Sequence, residues 1–303
     1  MLLSVEIERI EPFADGAAFG EAGAYERVIG KARGEIDPGH PGNRGIALID
    51  RAPLNARGRV EYTTDIFILR PRDFSRGNGR ILYDVRDPGT DYPVGTGVRR
   101  PGKRLLTVGT DCAVGKMFTA LTIERALRGR GVEASFRASG QTGILIAGGG
   151  IPIDAIVSDF VSGAAEALSP SAPSDHWDVI EGQGSLFHPA FAAVSLGLLH
   201  GSQPDAMVLC HAAGRTEMVG TGGHQVPELS ACIEAHEAAA RVVHPGARVT
   251  GISLNTSEFA EDEAREIIRT TAEEHDLPVG DPVRTGLDAI VASTLAQTRV
   301  DSA

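Results

Sequence analysis

The chain has 303 residues, enough for about two domains, and its 29 Lys and Arg against 40 Asp and Glu leave a net charge of −11, a balance that argues against a nucleic-acid partner. Hydrophobic residues make up 42% and charged residues 23%, an ordinary globular composition, and no apolar run approaches the ~18 residues that a membrane helix needs. Cys112, Cys210 and Cys232 form neither a CxxC pair nor a zinc-ligand pattern, and MLLSVEIERIEPF lacks a signal peptide's basic and apolar regions, so the expected location is the reduced cytoplasm.

Charge divides the chain: residues 1–100 hold 15 acidic and 15 basic side chains, whereas 101–303 hold 25 and 14, so the net charge lies in the second part. The first part reads as a β-rich segment over 1–84. Its expected strands are Ser4–Ile10, Tyr25–Glu35, Gly45–Asp50 and Val60–Leu69, separated by turn formers such as Pro38-Gly39 and Pro41-Gly42-Asn43. The stretch FGEAGAYERVIGKARGEIDPGHPGNRGIALIDRAPLNARGRVEYTTDIFILRP resembles the leading segment of a family of α/β-hydrolase-domain proteins. The nucleophile elbow of such a family, G-x-S-x-G, occurs nowhere in the chain, so no hydrolase serine is assigned. Residues 71–103 are crowded with Gly, Pro, Asp and Arg, and a linker is expected over 85–103.

From 104 onward, strand-length apolar runs alternate with helix-length amphipathic stretches, the pattern of a parallel sheet covered by helices. Strands are expected at Arg104–Gly109, Glu133–Ala138, Asp178–Glu181, Ala206–His211 and Arg248–Leu254. Helices are expected at about Lys116–Arg130, Pro152–Leu168, Val226–Val243, Ala260–His275 and Gly286–Gln297. The predicted fold class is α/β, a doubly wound parallel sheet of the P-loop NTPase type over 104–303, preceded by the small β-rich segment.

The sharpest motif is RLLTVGTDCAVGKMFTA: a buried strand, then Gly109, Thr110, Asp111, Cys112, Ala113, Val114, Gly115 and Lys116, then a helix. A glycine-bounded loop opening a helix lets backbone N–H groups face an anion, and the lysine adds a point charge. The reading is a phosphate cradle, against a tight turn with a solvated lysine. The standard phosphate loop has four residues between its glycines and a Ser or Thr after the lysine. Here there are five, and Met117 replaces the hydroxyl that would hold Mg²⁺. Thr119 offers a hydroxyl three residues beyond Lys116, and no metal site is assigned.

Glu181 ends an apolar strand and is followed by glycines, so it is expected at the same sheet edge as the loop. It is either a general base or a metal ligand, or else it caps a turn or pairs with Lys116. Ser139, Gln141 and Thr142 supply small polar groups suited to a carboxylate or amide, or they form a satisfied turn. His188, His200 and His211 each stand beside a turn, and His188 is carried forward as a candidate proton acceptor. Arg215 is a candidate fork for an anionic substrate. Asn255 at a strand end reads a purine edge or sits in the following turn.

The phrases TVGTDCAVGKM, ASGQTGILIAGGG, DVIEGQGSLFHPA, LGLLHGSQPDAMVLCHAAGR, GISLNT and LPVGDPVRTG together resemble the DgcN-like family, formerly a domain of unknown function, over about 84–303. The resemblance implies transfer of the acetyl group of acetyl-CoA to the amine of D-glutamate. Its partners would be that small-molecule substrate and, left open, further copies of the chain, with no nucleic acid or membrane. Gly109–Lys116 would then hold the phosphates of the acetyl carrier, and backbone N–H groups around Gly182–Ser185 the oxyanion. The loop and EGxG turn are also similar to dethiobiotin synthetase, which implies the alternative of an ATP- and Mg²⁺-dependent ligase or kinase; a non-catalytic nucleotide-binding protein is the third reading. Family members carry a Rossmann-like domain ahead of the phosphate-loop domain, where this chain has the hydrolase-like leader.

Overall fold

The computed structural model describes residues 1–43, 49–77 and 92–300. The chain divides into two compact units, Met1–Val85 and Arg86–Ala303. In the first, β1 (Leu2–Pro12), β2 (Ala18–Phe19), β3 (Gly23–Ile36) and β4 (Val60–Pro71) form an antiparallel sheet with β3 between β1 and β4. Ile10 and Ile68 both stand opposite Val28, which fixes the register. Of the expected strand Gly45–Asp50, residues 45–48 lie outside the described residues, and Ile49–Arg51 is a single 3₁₀ turn. Residues 85–91 of the expected linker also lie outside them.

The second unit is built on six parallel strands. In chain order its elements are β5 (Lys103–Gly109), α1 (Lys116–Gly129), β6 (Ala134–Arg137), α2 (Gln141–Ala147), α3 (Val161–Leu168), β7 (Trp177–Ile180) and α4 (Ala192–Ser202). There follow β8 (Ala206–Ala212), α5 (Leu229–Arg241), β9 (Arg248–Asn255), α6 (Glu261–His275), β10 (Val279–Gly280) and α7 (Asp288–Val300). The strand order is β10-β9-β8-β5-β7-β6.

Side chains alternate across this sheet, and both faces are covered. Leu105, Val179 and Val208 pack with Ile123 and Leu127 of α1 and Ile290 and Val291 of α7. Leu106, Ile180, Met207 and Ile252 pack on the other face with Val161 of α3, Leu198 and Leu199 of α4 and Cys232 of α5. Each such fully buried side chain contributes about 1.5–3 kcal/mol. The chain goes from β5 to the edge strand β6, returns to β7, and then crosses β5 to reach β8. The direction of winding therefore reverses at β5, and the crevice beyond its carboxyl end is where an open α/β sheet binds ligands.

The helix expected over Pro152–Leu168 begins only at Val161. Ile151 and Ile153 donate their N–H groups to Ala138 and Ser139 at the end of β6, which holds the preceding stretch in short 3₁₀ turns.

Candidate functional site

β5 ends at Gly109 and α1 starts at Lys116, and the loop between them closes on the lysine itself. Lys116 Nζ donates to the Asp111 carbonyl at 2.8 Å. A Cβ at Gly109 would lie 3.0 Å from that nitrogen, so the glycine allows the close approach. Ala113 and Gly115 take left-handed conformations, φ +52° and +97°. Among the described residues, the consecutive N–H groups of Ala113 through Phe118 take no hydrogen-bond partner. Open amides at a helix start beside an ammonium are the chemistry of a phosphate cradle. Burial lowers the Lys116 pKa from its ordinary value, and the neighbouring Cys210, Cys112 and Asp111 oppose that shift.

The loop is braced from three sides. Asp111 is fully buried; its Oδ1 accepts from the Cys112 N–H at 2.6 Å and its Oδ2 from the Val219 N–H at 2.9 Å. Ser185 Oγ donates to the Thr110 carbonyl at 3.0 Å. Arg215 Nη1 donates to Asp111 Oδ2 at 3.1 Å and to the Cys112 carbonyl at 2.7 Å, and Nη2 donates to the Ala113 carbonyl at 3.3 Å. This corrects the expectation for Arg215: its fork is turned on the loop rather than held open for a substrate carboxylate.

Glu181 lies one residue past β7, 4% exposed. Its Oε2 accepts the N–H groups of Ser139 (2.9 Å) and Gly140 (3.0 Å), and Ser139 Oγ donates to the Glu181 carbonyl at 2.5 Å. Glu181 thus anchors the start of α2. Burial raises its pKa, opposed by the N–H groups of Gly140 and Ser139, by Gln183 and by the charge of Lys116. Gly182 is pressed under the loop: a Cβ there would lie 1.6 Å from the Thr107 carbonyl oxygen and 3.1 Å from Lys116 Cδ.

Several expected roles change with these contacts. Ser139 is fully buried and committed to Glu181 and Gln183, so it does not reach a substrate. Gln141 and Thr142 are exposed on the first turn of α2. His188 Nδ1 accepts from the Ala190 N–H at 3.2 Å while Nε2 stands 3.0 Å from the Val219 carbonyl; with both nitrogens engaged, it has no free site for a proton. The Gly182 N–H is committed to Thr107 Oγ1 at 2.9 Å, whereas those of Gln183, Gly184 and Ser185 take no partner among the described residues. Thr119 Oγ1 is buried 2.8 Å from Ser253 Oγ, which removes it as a metal hydroxyl. Asn255 Oδ1 accepts from the Ser257 N–H at 3.0 Å, which places the amide in a turn.

One group with the composition of metal ligands occurs among the described residues: donor atoms of Asp111, Cys112 and His188 lie within 4.8 Å of one another. Asp111 and His188 are already engaged as described, Arg215 adds positive charge beside them, and burial holds the Cys112 thiol above its ordinary pKa. His211, at the end of β8, stands closer to the site than its sequence setting suggested. Its Nδ1 lies 2.9 Å from Thr110 Oγ1, and burial, followed by the Arg215 charge, lowers its pKa to about 4. Only its position beside the loop on the neighbouring strand, invisible in the sequence, distinguishes it from His200.

A family described as a domain of unknown function, the DUF1611 C-terminal P-loop domain, matches residues 93–291. The chain belongs to this family. It is 53% identical over 219 residues to a protein of a Pseudoalteromonas species named D-glutamate N-acetyltransferase, covering 72% of this chain and 66% of that one. A protein of the same name from Tritonibacter scottomollicae is 45% identical over 222 residues, covering 73% of this chain and 67% of that one. A DUF1611 family protein from Anabaena variabilis, known from a crystal structure, is similar with a TM-score of 0.65 and 37% identity, over 73% of this chain and 65% of that one. The chain therefore spans about two thirds of the length of these relatives. Residues 1–92 lie outside the family match.

Proposed function

We propose that the chain is an N-acetyltransferase that moves the acetyl group of acetyl-CoA onto the amine of an acidic amino acid, D-glutamate. The observation that carries this reading is the 53% identity with the Pseudoalteromonas D-glutamate N-acetyltransferase. The site fits the chemistry. The open amides of Ala113 through Phe118 and the Lys116 ammonium suit the phosphates of CoA, and binding there needs no hydrolysis and no Mg²⁺ hydroxyl.

In the transfer, the nitrogen lone pair of the acceptor forms a C–N bond to the thioester carbon, the C–S bond breaks, and the nitrogen's proton passes to a base and from it to the departing CoA thiolate. Glu181 is the proposed proton acceptor, because burial makes it more basic than an ordinary carboxylate and it stands beside Lys116 and the loop. The unpartnered amides of Gln183, Gly184 and Ser185 are proposed for the oxyanion. Gln141 and Thr142 are left to meet the acceptor's carboxylates, while Arg215 shapes the loop. Three free cysteines, and no helix among the described residues long and apolar enough to cross a membrane, accord with a cytoplasmic enzyme.

The test is a mass-spectrometric assay of acetyl-CoA with D- and L-glutamate. N-acetyl-D-glutamate formed in proportion to enzyme supports the reading. Binding of CoA with neither enantiomer acetylated, or turnover of ATP with Mg²⁺ instead, rejects it.

A further inference from the structure

The two faces of the N-terminal sheet differ sharply in chemistry. Residues directly opposite in an antiparallel sheet share a face. On one face β1 contributes Leu2, Val5, Ile7 and Ile10, opposite Gly34, Ala32, Gly30 and Val28 of β3. Ile66 and Ile68 of β4 stand on the same face, opposite Gly30 and Val28. The charges on this face are Glu26 and Arg70, which neutralise each other at 2.7 Å at one end. The other face interleaves Ile29, Phe67 and Leu69 with cross-strand pairs, Arg27 with Glu11 (3.3 Å) and Arg33 with Glu6 (4.0 Å).

The apolar face is nonetheless open. Leu2 is 55% exposed, Val5 50%, Ile7 45%, Ile10 52% and Ile68 47%. Among the described residues of this unit, the buried apolar side chains are Val28, Ala32 and Ile49. A sheet of so few strands needs its apolar face packed against something to be stable, and contiguous apolar patches of this kind mark interaction surfaces.

We propose that this face is a homodimer interface, and that a second copy of the chain covers it as the facing layer of a β-sandwich. The area of the face supports this occupant. With strands ~4.8 Å apart and same-face residues ~6.8 Å apart, the face measures on the order of 500 Å² per copy. A face-to-face pair therefore buries on the order of 1,000 Å², the lower limit for a specific interface. The lane of Gly30, Ala32 and Gly34 between β1 and β4 is buried within the chain, with the Tyr62 ring over Gly34, so the exposed ridge side chains of β1 and β4 form the contact across a two-fold axis. The face's lack of net charge gives no repulsion between like copies.

The test uses the full chain in sedimentation velocity, with hydroxyl-radical footprinting over a concentration series. The expected result is a species of twice the chain mass, with Ile7 and Ile68 protected at high concentration and exposed on dilution. Ile7→Lys should weaken the dimer by at least ~100-fold, because two ammonium groups enter an apolar interface, while Phe67→Lys on the opposite face leaves it intact. Mixing Ile7→Lys with Ile7→Glu should restore a dimer. A monomer at all concentrations, a dimer unaffected by Ile7→Lys, or footprints at Ile7 and Ile68 that do not change with concentration would overturn the proposal.

Discussion

Arg215 Nη1 lies 3.1 Å from Asp111 Oδ2, and the same nitrogen donates to the carbonyl of Cys112, so one guanidinium ties the loop between β5 and α1 to the segment that follows β8. Asp111 is fully buried and also receives two backbone N–H groups, so the pair fixes the loop from within. Arg215→Ala leaves the carboxylate without its cation, and the expected loss of stability is about 1–3 kcal/mol. CoA affinity should fall on the order of tenfold, and Arg215→Lys should not restore it, because an ammonium lacks the planar fork. Calorimetric titration with CoA beside steady-state kinetics checks this. A raised KM for D-glutamate with unchanged CoA affinity would show that Arg215 meets the acceptor instead.

Stability and ligand binding should move in opposite directions at Lys116. The ammonium is buried, its pKa is lowered by that burial, and its described hydrogen bond is to the Asp111 carbonyl. Lys116→Met keeps the stem and removes a desolvated charge, so the melting temperature should hold or rise. CoA binding should weaken by roughly 1.5–3 kcal/mol, the range for a lost hydrogen bond to a charged group. Thermal unfolding and titration of the same variant measure both effects, and a variant with unaltered CoA affinity would remove Lys116 from the cradle.

Glu181 has two separable duties. Alanine there frees the N–H groups of Ser139 and Gly140 and loosens the start of α2, so loss of turnover alone would not identify a base. Glutamine keeps an oxygen to accept both N–H groups but takes no proton. Glu181→Gln is therefore expected to retain CoA affinity and to cost no more than about 1 kcal/mol of fold stability while lowering kcat by 10²–10⁴-fold, the usual contribution of general base catalysis. Turnover near the wild-type rate in Glu181→Gln would leave the residue with its anchoring duty alone.

What could be read from the residues follows from how local the signal is. The strand, glycine-bounded loop and helix from Arg104 to Arg130 are contiguous, and the structure places them as β5, loop and α1. α4 carries no periodic signal in the sequence, because AAVSLGLLHGS has no polar stripe. It is packed on several sides, with Gly201 so close to α3 that a Cβ would lie 2.1 Å from the Ser162 carbonyl oxygen. α2 is equally silent, because Ser139-Gly140-Gln141-Thr142-Gly143 has the composition of a turn, and the Glu181 carboxylate that organises it arrives from the end of another strand. Residue type alone points Arg215 and His188 to substrate and proton roles. Their partners, Asp111 and Val219, are distant in sequence, so the satisfaction of their polar atoms could be seen only in the fold.

Acid should weaken the fold through two histidines. His211 and His236 are held neutral chiefly by burial, with pKa values of about 4 against an ordinary 6.5. Between these values the unfolded chain takes up protons that the folded chain does not, so stability is full above pH 6.5 and falls as the pH drops towards 4. At pH 5 each contributes a loss on the order of 2 kcal/mol. Urea unfolding at pH 7, 6 and 5 should show a falling midpoint, and His236→Gln should flatten that slope even where its absolute stability is lower. A midpoint independent of pH over this range would contradict both assignments.

Gly143 tests whether the Glu181 carboxylate needs its present seat. A Cβ there would lie 2.1 Å from Glu181 Oε2, closer than any real contact, and the carboxylate has little room to retreat because the same oxygen holds Ser139 and Gly140. Gly143 lies inside α2 and is not among the glycines with positive φ, so alanine suits its backbone and would favour the helix by about 0.5–1 kcal/mol in the absence of the clash. Gly143→Ala is therefore expected to displace the carboxylate rather than unfold the helix. Turnover should fall by at least ~100-fold, CoA affinity should change little, and the amides of Ser139 and Gly140 should lose protection in hydrogen exchange. Full turnover with those amides still protected would show that Glu181 can shift without consequence, and the proposed base would have to be sought elsewhere along this sheet edge.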